Sequence, residues 1–119
     1  MEKNVLATNI SSNLKQVMYM HATKATKASN MRNVPFKVNE YLLYEQKKEN
    51  ESKLFLILEI TKQGEDKTEV IATNSNVMIE IFSDVINNLE NESITNVNFI
   101  INEGKAMNGR SYNLLEFWI

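Results

Sequence analysis

The chain has 119 residues, of which 43% are apolar and 24% charged, a composition typical of one soluble globular domain with a single core. It has no cysteine and one histidine, His21, which excludes disulfide frameworks, thiol catalysis and metal sites built on thiolates or paired imidazoles. No apolar run approaches the roughly 20 residues of a membrane span, and the N-terminus lacks the apolar segment of a signal peptide. We therefore expect a cytoplasmic protein without a membrane partner.

The first segment in chain order, residues 1–33, is basic and has no clear secondary-structure pattern. Residues 1–39 carry six basic and one acidic side chain (net +5), whereas residues 40–119 carry seven basic and fourteen acidic ones (net −7), which together give the net charge of −2. Residues 14–20 fit either a short helix or a first strand. Residues 22–30, which have no apolar anchor, are typical of a mobile basic loop. The asymmetry predicts a polyanion-binding segment, and chance composition is the alternative.

The middle of the chain predicts an antiparallel meander of three strands. Residues 36–46 mix Val, Tyr and Phe with polar residues and predict a long strand. The charged residues 47–53 are typical of a hairpin connection. Residues 54–60 are apolar on both faces, which favours a central strand. A turn at residues 63–66 then leads into a third, β-branched strand over residues 67–73.

One helix and two further strands follow. Asn74 or Ser75 can cap a helix whose apolar residues recur every three or four positions, at Met78, Ile81, Phe82, Val85, Ile86 and Leu89. In residues 96–103 and 111–119 the side chains alternate between two faces, which predicts two strands. Between them, Asn108-Gly109 predicts a tight turn flanked by Lys105 and Arg110.

This order of elements predicts a mainly β protein, a single five-stranded OB-fold barrel over residues 1–119 with one helix between strands three and four. Other α+β arrangements of five strands and a helix remain open. In the barrel, the loops at residues 47–53 and 104–110 would flank the face of strands two and three, on which ligands of this fold bind.

Three stretches carry a resemblance that covers the whole chain: KVNEYLLYEQ, KLFLILEITKQGEDKTEVIATNS and NEGKAMNGRSYNLLEFWI. They resemble the small single-stranded-DNA-binding proteins of bacteriophages that infect lactic-acid bacteria. The resemblance implies an OB-fold homodimer or higher homo-oligomer. Such a protein coats single-stranded DNA without sequence preference during phage DNA replication and recombination, in the host cytoplasm and beside the proteins of those processes.

Single-strand binding requires cations along a groove and accessible rings on which bases stack. The candidate cations are Lys15, Lys24, Lys27, Arg32, Lys37, Lys105 and Arg110. The two arginines rank first, because a guanidinium can both pair with phosphate and stack on a base. The candidate rings are Tyr19, Phe36, Tyr44, Phe55 and Tyr112, with His21 and Tyr41 also considered. Phe82 and Phe99 are expected in the core.

No catalytic constellation or cofactor motif is present in the sequence, so we expect a protein that is not an enzyme and needs no cofactor. Two alternatives stay open. One is a small protein-interaction module with a basic arm, and the other is a metal-dependent nuclease built on scattered carboxylates. In the last strand, Leu114 and Trp118 alternate with Leu115, Phe117 and Ile119, so one apolar face is a candidate subunit interface.

Overall fold

A computed structural model describes residues 2–21 and 24–119 of the chain, which form seven strands, three α-helices and one 3-10 turn. The strands are β1 (Glu2–Thr8), β2 (Thr26–Lys27), β3 (Phe36–Lys48), β4 (Glu51–Lys62), β5 (Thr68–Thr73), β6 (Asn98–Lys105) and β7 (Ser111–Trp118). The helices are α1 (Asn13–Met20), α2 (Asn76–Asn88) and α3 (Asn91–Asn96), and the 3-10 turn spans Ala28–Met31. Within the two described ranges, no helix has the length and apolar character needed to span a bilayer.

All seven strands belong to one strongly curled sheet, a half-barrel. The strand order is β2-β5-β4-β3-β6-β7, with β1 added beside β3. Strand β3 is the centre, since it pairs with β4 along its length, with β6 at Phe36 and Lys37, and with β1 from Leu42 to Lys47. A β-bulge at Asn39 separates the parts of β3 that pair with β6 and with β1. Such a bulge increases local twist and bends the strand.

The inner face of the sheet carries the main core, which α2 covers. Alternate residues of β3, β4 and β6 point inward, and the largest fully buried side chains include Phe36, Leu56, Leu58, Phe82 and Phe99. Helix α2 begins after Ser75, whose side chain accepts a hydrogen bond from the Met78 amide at 3.4 Å. The predicted cap and the predicted core positions of Phe82 and Phe99 are therefore confirmed.

The outer face, defined as the opposite side of the same strands, is covered in its middle by α1. Leu42, Tyr44 and Ile57 point to this face and form a second, smaller buried cluster with Ile10. Tyr19 and Met20 of α1 pack against that cluster. The helix begins where the Ser12 hydroxyl accepts a hydrogen bond from the Lys15 amide.

The prediction of five strands was wrong. The described part of the chain contains seven, because residues 1–33 contribute β1 and β2. The predicted connection at residues 47–53 is also largely strand, and only Glu49 and Asn50 form the turn between β3 and β4. These residues are polar on both faces of the hairpin, so the sequence shows no alternation of apolar and polar side chains there, although the backbone pairing continues.

The predicted basic loop at residues 22–30 is corrected where the structure describes it. Residues 22 and 23 lie outside the described residues. Lys27 pairs with Ala72 in parallel, and Ala28 is buried in the main core beside Met31. A small alanine thus anchors a segment that contains no large apolar side chain.

Candidate nucleic-acid interface

Five lysines share the outer face of the sheet. Residues directly opposite each other on neighbouring strands point to the same side. By this rule, outer-face positions in the strand register belong to Lys3, Lys27, Lys37, Lys48 and Lys53. No ion pair among the described residues includes any of the five. Their charges are therefore available to a ligand of opposite sign.

A pair of stacked rings lies on the same face near the β3–β4 turn. The rings of Tyr44 and Phe55 are 5.3 Å apart between centroids and tilted by 17°. Tyr44 is only 6% exposed, whereas Phe55 is half-buried. Burial raises the pKa of Tyr44, so its ring stays neutral. Tyr44 therefore supports Phe55 from within, and Phe55 is the ring accessible to a ligand.

Three of the lysines lie on the same face as these rings, and one of them is close to the Tyr44 ring. Lys3 Nζ lies 6.0 Å from the centre of the Tyr44 ring and donates a hydrogen bond to the Met20 carbonyl at 3.3 Å. Lys53 is one outer-face position beyond Phe55 on β4. Lys27 lies on β2 at the other side of β5. We call these residues the hairpin patch: Lys3, Lys27, Tyr44, Lys53 and Phe55.

The two carboxylates under α1 are engaged by the helix itself. Glu40 forms an ion pair with Lys15, and Glu59 accepts a hydrogen bond of 2.5 Å from the Tyr19 hydroxyl. The pKa of Tyr19 is raised by burial first and by its bond to Glu59 second, and the pKa of Lys15 is raised mainly by its bond to Glu40. Lys15 and Tyr19, predicted as DNA contacts, thus serve to hold α1 on the sheet.

A second group of predicted residues lies on the β6–β7 ribbon. Arg32 Nε donates to Asn113 Oδ1 at 2.8 Å, and its guanidinium lies 3.8 Å from Glu103. Lys105 pairs with the same carboxylate at 3.4 Å. Arg110 is exposed at the ribbon tip. Glu103 therefore neutralises much of the positive charge that the sequence predicted here.

Tyr112 lies on the opposite side of the ribbon from Lys105. Its ring packs over Gly104, where a Cβ atom would lie only 2.4 Å from the ring carbon Cζ. Since facing residues share a side, Tyr112 points to the outer face with Gly104, whereas Lys105 points to the inner side with Ser111. Lys105 and Tyr112, which were each predicted as DNA contacts, therefore lie on opposite sides of the ribbon.

The remaining predicted residues are either exposed lysines or buried aromatic residues. Lys24 is exposed shortly before β2, and Lys37 is exposed on the outer face. Phe36 is 0% exposed and stacks on Phe99 in the core, so its predicted role as a platform for bases is wrong. Tyr41 is likewise buried, with its hydroxyl donating to Asn91 Oδ1 at 2.8 Å.

Sequence reasoning missed Lys3 and Lys53 as site residues. Lys53 falls in the stretch that was assigned to a loop, where no face could be assigned to its side chain. Extending the alternation of Tyr44 and Phe55 by one step on each strand would have placed Gln46 and Lys53 on their side. Lys3 could not be found in this way, because its position depends on the pairing of β1 with β3.

The carboxylates considered for a metal site are dispersed. Glu45 accepts from Ser52 and lies 3.7 Å from Lys47, whereas Glu69 pairs with Lys62 at 3.2 Å. Across residues 2–21 and 24–119, no three His, Cys, Asp or Glu side chains are grouped as ligands for one metal ion.

No protein-family model, curated protein or solved structure matches the chain significantly. A functional assignment therefore depends on the geometry of this surface.

Proposed function

We propose that the protein is a non-enzymatic, OB-fold protein that binds single-stranded DNA without sequence preference through the hairpin patch. The observation that carries the proposal is the half-buried Phe55, which stacks on Tyr44 on a face that also carries Lys3, Lys27 and Lys53; none of these lysines forms an ion pair within the described part of the chain. A flat ring accepts any base by stacking, and lysines bind any phosphate. The combination therefore favours a ligand with unpaired bases and a phosphate backbone.

The topology supports the OB-fold assignment. Strands β3, β4 and β5 form a meander, and the chain then returns through α2 and α3 so that β6 lies beside β3. This spatial order is a Greek key, and the OB-fold is a partly open Greek-key barrel of five strands. Strands β1 and β2 would then be additions at its edges. Two residues of the hairpin patch, Lys53 and Phe55, lie on β4, which would be the second strand of that barrel and so part of the usual ligand face of this fold.

The distribution of charge supports an anionic ligand on the outer face. The whole chain has a net charge of −2, but binding depends on the local field at the surface. Under α1, Glu40 is neutralised by its ion pair with Lys15, and Glu59 accepts a hydrogen bond from the Tyr19 hydroxyl. The resemblance of the sequence to phage single-strand-binding proteins favours a role in coating DNA during phage replication or recombination.

The test is a fluorescence-anisotropy titration of a short labelled thymine oligomer and of a duplex of equal length, each over a range of salt concentrations. We expect tighter binding to the single strand, weakened by salt. Each lysine–phosphate contact contributes about 0.7 to the log–log salt slope for a single strand. The double variant K27Q/K53Q should therefore lower the slope by about 1.4.

The matched control is K67Q/K105Q, which removes the same charge outside the hairpin patch. Lys67 lies just before β5, and Lys105 is already paired with Glu103. An equal loss of slope in both double variants would contradict the assignment of the patch. Absence of binding to the single strand would favour the protein-interaction alternative, and cleavage dependent on Mg²⁺ would favour the nuclease.

A further inference from the structure

The outward side of α1 is an apolar stripe that no other described residue of the chain covers. Leu14, Val17 and Met18 are 72%, 48% and 62% exposed, and their spacing of three and four places them on one side of the helix. The exposed His21 continues the same side just beyond the helix. No acidic residue occurs between Lys3 and Asn39, so the stripe lies in a basic part of the sequence.

A groove of complementary character lies between α2 and β7. Its floor is formed by Ile81, Val85, Leu89 and Phe117, and Asp84 and Asn88 lie at its rim. Phe117 is 47% exposed and stacks on the buried Phe99 at 5.2 Å, so its ring is held in place before any partner arrives.

The rim of this groove is acidic. Asp84 lines it, and residues 76–96, which form α2 and α3, contain no lysine or arginine and carry Glu80, Asp84, Glu90 and Glu92. A nucleic acid would be repelled here, whereas an apolar helix face in a basic setting would be attracted.

The stripe and the groove of one molecule lie on different sides of the sheet. Helix α1 is tied to the outer face through Lys15 with Glu40 and Tyr19 with Glu59. Helix α2 packs against the inner face. We propose that the α1 stripe of one copy docks into the α2–β7 groove of a second copy.

The consequence is a head-to-tail contact. The two surfaces differ, so each pair of molecules keeps one free stripe and one free groove, to which further copies can bind. The groove includes no residue of the hairpin patch, and the stripe meets the patch at its end, where His21 Nδ1 lies 3.5 Å from Lys3 Nζ. The contact itself does not require DNA, and its test is separate from the test of DNA binding.

The experiment is sedimentation velocity of the full chain without DNA, at several micromolar concentrations. Wild-type protein should form species larger than 13.7 kDa in proportions that rise with concentration. The stripe variant L14S/M18S and the groove variant D84K/N88K change only exposed residues, and each alone should sediment at 13.7 kDa. The controls M107S and Q63K, at exposed sites outside both surfaces, should associate like wild type.

Mixing the two variants gives the decisive result. The groove variant keeps an intact stripe and the stripe variant keeps an intact groove, so the mixture should form one-to-one dimers and nothing larger. Circular dichroism confirms that each variant is folded. A wild-type protein that stays at 13.7 kDa, variants that associate like wild type, or a mixture that stays monomeric would each overturn the proposal.

Discussion

Phe55 offers the sharpest test of the proposed interface. Replacing it by leucine keeps an apolar side chain over Ile57 and Tyr44 but removes the flat surface on which a base would stack. Loss of one base–ring stack costs about 1–3 kcal/mol of binding free energy, which weakens affinity about 5- to 150-fold. The structure favours the upper half of that range, because Tyr44 holds the Phe55 ring in a fixed orientation before the ligand binds.

The alanine variant separates binding from stability. Phe55 is half-buried, so truncation to alanine should cost about 2 kcal/mol of folding stability, roughly half of the value for a fully buried phenylalanine. The leucine variant should lose much less folding stability than the alanine variant but should lose as much affinity for DNA. Urea unfolding followed by circular dichroism measures the first quantity, and anisotropy with a short thymine oligomer measures the second.

The reasoning would be refuted by a folded Phe55→Leu protein that binds the oligomer as tightly as wild type. The conservative variant Tyr44→Phe is the matched control. It removes a hydroxyl from the buried ring and keeps the stack with Phe55, so we expect its affinity to be unchanged.

Three further outcomes follow from the structure. Because the pKa of Tyr19 is raised on folding, the stability it contributes is present below about pH 10 and is lost as pH rises above that value. The variant Tyr19→Phe lacks the bond to Glu59, so its free energy of unfolding, measured with urea, should fall less steeply at alkaline pH. Gly104→Ala should displace the Tyr112 ring and cost about 1–3 kcal/mol, and the double variant with Tyr112→Ala should recover most of that cost in the same assay; simple additivity would contradict the packing. Arg32→Gln should lower folding stability by about 1 kcal/mol, because its bonds to the β6–β7 ribbon are lost. It should leave the salt slope of DNA binding unchanged, and a lower slope would indicate that Arg32 contacts DNA.

Local patterns were sufficient for much of the secondary structure. The apolar spacing in α2 and the cap at Ser75 depend on residues close in sequence, and both were predicted correctly. Strand β3 was predicted from its start at Phe36, although it continues two residues further, to Lys48. Local alternation along β4 also places Phe55 and Leu56 on opposite faces, and they pack against the two different core clusters.

The sequence by itself also determined the excess of positive charge in the first third of the chain, because that is a property of composition. Which of those charges remain available was decided only by the tertiary structure. Arg32 is engaged by Asn113, a residue 81 positions away, and Lys15 by Glu40, whereas Lys3 reaches the rings only because β1 pairs with β3. Strand pairing and ion pairing join residues that are distant along the chain, and local alternation contains no information about such partners.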